Sequence, residues 1–145
     1  KQKGTLRGLH YVDPSLEEAK LVRCTRGEAY VVGADIRENS PSHGRWVGMQ
    51  LTADNHRLLY IPPGCAQGYQ TLVDQTEMLY QMSAVFVPGS TRGIRYDDPH
   101  FQIRWPLAVS CISAADLSWP LYRAGLDRTA TLITAVDVEK AGANR

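Results

Sequence analysis

Three ionisable residues of different chemical types lie in strand-like parts of the sequence: His10, Lys20 and Tyr80. An imidazole exchanges protons near neutral pH, and a buried ammonium without a partner is so unfavourable that such lysines are often functional. A single inward histidine is more often a core residue, and a single tyrosine more often packs its ring and hydrogen-bonds its hydroxyl. Whether the three act together depends on the elements that position them.

Those elements are predicted to be short β-strands, because runs of β-branched, aromatic and aliphatic residues are closed by Gly, Pro, Asn or Asp, as in an all-β sandwich or barrel. The predicted strands are 5–11, 19–25, 29–36, 46–51, 58–61, 70–72, 77–83 and 85–87. Arg26-Gly27 suits a hairpin tip. Ser113 and Asp116 have the S-x-x-D spacing that starts a helix, and a lone Asp116 has that cap as its simplest explanation. Residues 129–138 are predicted to form a last strand and 139–145 a frayed tail.

Alternation along a strand predicts which side chains face the core. Lys20 has the parity of Val22, and Tyr80 has the parity of Met78. Both polar residues are therefore expected to point inward.

The first strand raises a difficulty of register. His10 shares the parity of Leu6 and Gly8, and Gly8 would leave space for a ligand beside the imidazole. Strict alternation puts Arg7 on the opposite face. The two side chains can touch one ligand only if the strand bulges or bends at Gly8.

Composition limits the class of protein. The 145 residues are 43% hydrophobic, which suits one globular domain over residues 1–145, and the formal net charge of +1 gives no footprint for nucleic acid or membrane surface. No apolar run approaches the ~18 residues of a membrane span. The three cysteines, which are Cys24, Cys65 and Cys111, form no C-x-x-C pair, and this favours buried thiols in the cytoplasm.

Other kinds of catalytic site find little support. The four histidines are widely spaced and form no H-x-H pair, so no metal is expected. No G-x-S-x-G nucleophile motif and no G-x-x-x-x-G-K phosphate loop is present.

Five motifs in order, GTLRGLHY, AKLVRCTRGEAY, PPGCAQGY, EMLYQ and RGIRYDDP, closely resemble the dTDP-4-dehydrorhamnose 3,5-epimerase family over residues 4–116. The resemblance implies a cupin-type double-stranded β-helix, or jelly roll, with a short C-terminal helical segment. It also implies a homodimer without cofactor or metal, acting on a nucleoside-diphosphate 4-keto sugar.

The resemblance implies a role for each matching residue. His10 would be the base that removes a proton from the sugar, and Asp116 would pair with it. Lys20 would contact the substrate and stabilise the enolate oxygen, Tyr80 would be the acid on the opposite face, and Arg7 would contact the diphosphate. A 4-keto group acidifies the hydrogens on carbons 3 and 5, so inversion needs one base and one opposed acid.

The chain departs from the family pattern at several positions. Gln67 stands where histidine is usual, Phe86 replaces a tyrosine, Thr91 a glutamate, Val31 an aspartate and Ala115 a lysine. Gln67, Phe86 and Thr91 are expected to contact substrate. The loss of an ionisable or hydroxyl group at Gln67, Phe86 and Val31 predicts inversion of a single centre, more readily carbon 3.

Two functions remain open at this stage. One is an active epimerase on a dTDP-4-keto-6-deoxyhexose, inverting carbon 3, carbon 5 or both. The other is a non-catalytic sugar-nucleotide-binding or assembly protein on the same fold, which has lost turnover through its altered pocket or through the expected lack of the family's N-terminal β ribbon, a segment that normally contributes to the partner's site. The combination of base, cation and opposed acid favours the enzyme.

Overall fold

The structure, a computed structural model, describes residues 1–123 and 135–136 and is mostly antiparallel β with one short helix. This confirms the predicted fold class. The strands are β1 (Leu6–Val12), β2 (Lys20–Arg26), β3 (Glu28–Asp35), β4 (Trp46–Thr52), β5 (Leu58–Ile61), β6 (Cys65–Thr71), β7 (Glu77–Met82), β8 (Thr91–Gly93) and β9 (Ala135–Val136). A 3-10 turn spans Pro14–Leu16, and helix α1 spans Ala114–Ser118.

Two sheets face each other. The five-stranded sheet has the order β4-β3-β6-β1-β8, and the four-stranded sheet has the order β7-β2-β5-β9. Between them lies an apolar cluster that includes Val22, Val31, Leu51 and Leu59, all fully buried. A second cluster with Leu9 covers the outer face of the five-stranded sheet. Central strands such as β6 are buried on both faces, which is why they do not alternate cleanly between apolar and polar residues.

Several boundaries differ from the prediction. The strand expected at 70–72 spans Cys65–Thr71 in the structure. It is buried along its whole length and contains Gly68. A Cβ at Gly68 would lie 2.8 Å from Leu9 Cδ2 and 3.0 Å from the Arg7 carbonyl oxygen, so the close approach of β1 requires glycine there.

The strand expected at 85–87 was wrong. These residues form a loop, and Val85 and Phe86 are 88% and 65% exposed. The segment is apolar, but it has no neighbouring strand to pair with among the described residues. β8 and the 3-10 turn were not predicted.

The turn at Arg26-Gly27 is not a hairpin tip, because β2 and β3 belong to different sheets. β2 pairs with β5 and β7, whereas β3 pairs with β4 and β6. The turn therefore carries the chain from one layer of the sandwich to the other.

Near the C-terminus, the predicted helix start is confirmed. Ser113 is the N-cap, and its Oγ accepts a hydrogen bond from the Asp116 backbone N–H at 3.0 Å. β9 lies within the predicted strand 129–138 and pairs with β5. The rest of that prediction and the predicted tail fall outside the described residues. Neither helical segment of the described ranges has the length and apolar character that a bilayer span requires.

Candidate active site

A pocket of about 240 Å³ opens between the two sheets. Each sheet contributes two neighbouring strands to its wall. The lining residues are Arg7 and His10 from β1, Gln67 and Tyr69 from β6, Lys20 from β2, and Tyr80 and Met82 from β7. Register explains the grouping, because His10 pairs with Gln67 across the first two strands and Lys20 pairs with Met82 across the others. The predicted inward faces of β1, β2 and β7 thus meet in one place.

The irregularity expected at Gly8 is present. The pairing of β1 with β6 shifts register between Arg7 and His10, and Gly8 has φ +115°. A Cβ at Gly8 would lie 2.6 Å from the Gly68 Cα, so a side chain there would push the two strands apart. The bulge lets Arg7 and His10 line the same pocket despite their opposite parity.

His10 is held by a carboxylate from the C-terminal segment. Its Nε2 lies 2.5 Å from Asp116 Oδ1, and the Ser113 hydroxyl donates to Asp116 Oδ2 at 2.7 Å. Burial raises the pKa of the Asp116 carboxyl, but the hydrogen bonds from Ser113 and His10 outweigh it and hold the pKa below its ordinary value. Asp116 therefore stays ionised, and the Nδ1 of His10 is the nitrogen left to take a proton from a ligand.

An indole ring supports the imidazole from behind. Trp119 meets His10 edge to face, with ring centroids 6.3 Å apart. It lies directly on Gly93 of β8, the residue that pairs with His10, and a Cβ there would approach Trp119 Cδ2 to 2.3 Å. Glycine at this position lets the ring reach His10.

On the facing sheet, Lys20 projects from the first position of β2. Its side chain is 14% exposed, and its Nζ lies 3.5 Å from Oε1 of Glu18. No other ion pair or hydrogen bond links the ammonium to a described residue, so its donors are available towards the pocket.

Tyr80 projects from β7, the strand next to β2, and lies beside Lys20. Burial raises the pKa of its hydroxyl well above the ordinary value, and the neighbouring Tyr69 raises it further, whereas a hydrogen bond with Gln67 lowers it. The pKa of Tyr69 is also raised, mainly by burial, although Arg7 counteracts this. Both phenols therefore remain protonated at neutral pH, which suits Tyr80 as a proton donor.

The structure does not gather every residue that the sequence singled out. Gln67 lines the pocket, whereas Phe86 and Thr91 do not line it within the described part of the chain. Phe86 lies in the exposed loop after β7, and Thr91 is exposed on β8. Val31 is fully buried in the apolar cluster between the sheets, and Ala115 is exposed on α1.

Three residues in or next to the site escaped the sequence reasoning: Tyr69 and Met82, which line the pocket, and Glu18, which lies behind Lys20. Parity could have found two of them, because Tyr69 follows Gln67 by two positions and Met82 follows Tyr80 by two. Glu18 precedes β2, where no strand period applies, so only the structure brings it to Lys20.

Another hollow, of about 390 Å³, lies against Tyr11, Gly93 and Tyr122. No histidine, lysine or carboxylate lines its described part, so it offers no general base. Among the pockets lined by the described residues, the pocket at His10 combines an oriented imidazole, a cation and a protonated phenol. This set can remove a proton on one side of a ligand, stabilise an oxyanion and return a proton from the other side.

Comparisons with known proteins agree with this chemistry. The sequence profile described as dTDP-4-dehydrorhamnose 3,5-epimerase matches residues 1–124. A dTDP-4-dehydrorhamnose 3,5-epimerase of Shigella flexneri is 41% identical over 116 residues, covering 80% of this chain and 64% of the relative. A dTDP-4-dehydrorhamnose 3-epimerase of Streptomyces niveus is 32% identical over 114 residues, covering 79% and 55%.

Solved structures show the same likeness. The dTDP-6-deoxy-D-glucose-3,5-epimerase of Legionella pneumophila, in complex with dTDP-4-keto-L-rhamnose, superposes with a TM-score of 0.82 at 37% identity, over 90% of this chain and 71% of that one. The chain spans just under two thirds of the length of the Shigella relative. By profile, sequence and fold, it belongs to the dTDP-4-dehydrorhamnose 3,5-epimerase family.

Proposed function

We propose that the protein is an isomerase that epimerises a dTDP-4-keto-6-deoxyhexose in deoxysugar biosynthesis. The observation that carries the proposal is the placement of His10 and Tyr80 on facing sheets across one pocket, with Lys20 beside Tyr80. Inversion at a carbon requires that a proton leave one face and return to the other, and facing strands hold an acid and a base in that relation.

The reaction follows from these groups. His10, oriented by Asp116, removes the proton on a carbon next to the 4-keto group, and the electron pair moves onto the keto oxygen. The Lys20 ammonium stabilises the enolate, as a donor in an oxyanion hole does, typically by ~3–4 kcal/mol in the transition state. The Tyr80 hydroxyl then protonates the opposite face of the carbon, and the enolate returns to the ketone.

The substrate class is proposed from the site and from relatives. The Legionella structure holds dTDP-4-keto-L-rhamnose, and the pocket of about 240 Å³ is smaller than the ~300–1,000 Å³ that encloses drug-sized ligands. The sugar ring therefore occupies it, and the nucleotide lies outside, with its diphosphate near Arg7. The similar proteins include a 3,5-epimerase at 41% identity and a 3-epimerase at 32% identity, so inversion of two carbons and inversion of carbon 3 alone both occur among relatives.

The assembly and location are part of the same proposal. We expect a homodimer, supported by the exposed apolar residues Val85, Phe86 and Val87 beside the edge strand β7. We expect the protein in the cytoplasm, supported by the free thiols of Cys24, Cys65 and Cys111, of which Cys111 is exposed and not buried as predicted.

The test is incubation with a dTDP-4-keto-6-deoxyhexose in heavy water, followed by NMR. The protein should introduce deuterium next to the ketone, and His10→Asn should abolish exchange at every sugar carbon without changing the melting temperature much. Binding of the sugar nucleotide without exchange by the wild-type protein would instead identify a non-catalytic sugar-nucleotide-binding protein.

A further inference from the structure

Glu18 is a buried carboxylate next to the site that the proton-transfer scheme does not use. Glu17 is the C-cap of the 3-10 turn, has φ 46° and is exposed, and the reversal there directs Glu18 inward. The Glu18 side chain is only 5% exposed. Hydrogen bonds from the Ala19 N–H to the Ser83 hydroxyl and from the Ser83 N–H to the Ala19 carbonyl fix this segment against the end of β7.

The carboxylate faces the Lys20 ammonium at ion-pair distance but is not saturated by it. The separation of 3.5 Å exceeds the ~2.7–2.9 Å of a charge-assisted hydrogen bond, and Oε1 accepts no hydrogen bond from a described residue. A buried carboxylate is unfavourable without a cation, and Lys20 is the cation that the structure places beside it. The pair is therefore held by charge, with the carboxylate behind the ammonium and the pocket in front of it.

We infer that Glu18 is a positioning residue that acts through Lys20, holding the ammonium against the pocket wall with its donors towards the ligand. Glu18 itself does not line the pocket, whereas Lys20 does. The consequence for catalysis rests on the proposed function, because it is the enolate oxygen that would meet the ammonium. The positioning of Lys20 by Glu18 does not rest on the proposed function, and it can be measured without substrate.

Side-chain NMR relaxation of the Lys20 Cε group measures the positioning in the free protein, with the resonance assigned by its loss in Lys20→Met. Glu18→Ala should lower the order parameter of Lys20 Cε. Glu18→Gln should retain most of it, because the amide oxygen still accepts from the ammonium. An unchanged order parameter in Glu18→Ala would overturn the inference. Glu17→Gln, a change at the exposed neighbouring glutamate, is the matched control.

A double-mutant cycle tests the catalytic consequence by exchange in heavy water. Glu18→Ala should lower kcat by about tenfold or more with little change in KM, and Glu18→Gln should restore most of kcat. In a Lys20→Met background, Glu18→Ala should cause no further loss. The same fractional loss in both backgrounds, with a lowered melting temperature, would show a merely structural role and overturn the inference. Absence of exchange in the wild type would overturn the proposed function instead, and the relaxation measurement alone would then decide the role of Glu18.

Discussion

His10 and Asp116 lie 106 residues apart in the sequence, yet the Nε2 of one is 2.5 Å from the Oδ1 of the other. The Asp116 side chain is 2% exposed, and its carboxylate is fixed from its other side by the hydroxyl of Ser113. The residues that cap helix α1 thus also orient the imidazole. For Asp116, the contact with the helix cap and the contact with His10 are not alternatives, because Oδ2 accepts from Ser113 while Oδ1 faces His10.

Asp116→Asn should lower the rate of deuterium exchange by about 10²-fold or more, because an amide neither stabilises an imidazolium nor enforces the same tautomer. Exchange into the sugar, followed by NMR at neutral pH, is the measurement. Asp97→Asn, which removes an exposed carboxylate paired with Arg95, is the control and should leave the rate unchanged. An Asp116→Asn protein with full exchange would contradict the assignment.

Tyr80→Phe should separate exchange from inversion. The base on the facing sheet still removes the proton, so deuterium should enter with retained configuration, while inversion falls by about 10²-fold because the donor on the other face is gone. Configuration and deuterium content of the product sugar can be read from the same NMR spectrum. Tyr60→Phe, on β5 outside the pocket lining, is the matched control. Undiminished inversion would show that another group donates the proton.

The wild-type protein is predicted to invert and deuterate carbon 3 alone. Of the changes that motivated this, only Gln67 lines the pocket, where it contacts Tyr80 in place of a protonatable side chain. Gln67→His should therefore restore exchange at carbon 5. NMR of the product in heavy water decides the matter, since equal deuteration at carbons 3 and 5 by the wild type would refute the prediction.

A buried ion pair outside the site should dominate the acid sensitivity of the fold. Asp35 is fully buried and accepts from Arg37 Nε at 2.8 Å and from Arg37 Nη2 at 2.7 Å. Burial raises the pKa of the Asp35 carboxyl, but hydrogen bonds from Arg37, Ser40 and Ser42 outweigh it and lower the pKa to about 2. The lowered pKa stabilises the fold by an amount on the order of 2 kcal/mol. This stabilisation should be complete at pH values above 3.8, the ordinary pKa of the carboxyl, and should be lost as the pH falls through about 2.

Asp35→Asn should lower the free energy of unfolding at pH 7 by about 3–5 kcal/mol, because it leaves the Arg37 guanidinium buried without its counter-ion. Urea denaturation at pH 7 and at pH 3 measures the effect, and the difference between the variant and the wild type should shrink in acid. Asp54→Asn, at an exposed aspartate, should change little. Equal stability of the wild type and Asp35→Asn would show that the pair contributes nothing.

The local pattern of the sequence was enough to predict most of the strands and several side-chain directions. Alternation in 77–83 and 19–25 placed Tyr80 and Lys20 on inward faces, and the S-x-x-D spacing placed the start of α1. The need for a bulge at Gly8 also followed from parity alone. These features could be predicted because strand alternation and helix capping depend on residues only a few positions apart.

The tertiary structure decided everything that depends on distant parts of the chain. It sends β2 and β3 to different sheets across Gly27, brings β1 so close to β6 that Gly68 is required, and leaves Phe86 in a loop away from the pocket. It also turns Glu18 inward behind Lys20. No local period encodes which strands pair or which side chain covers a buried charge, because those outcomes depend on packing between segments far apart in sequence.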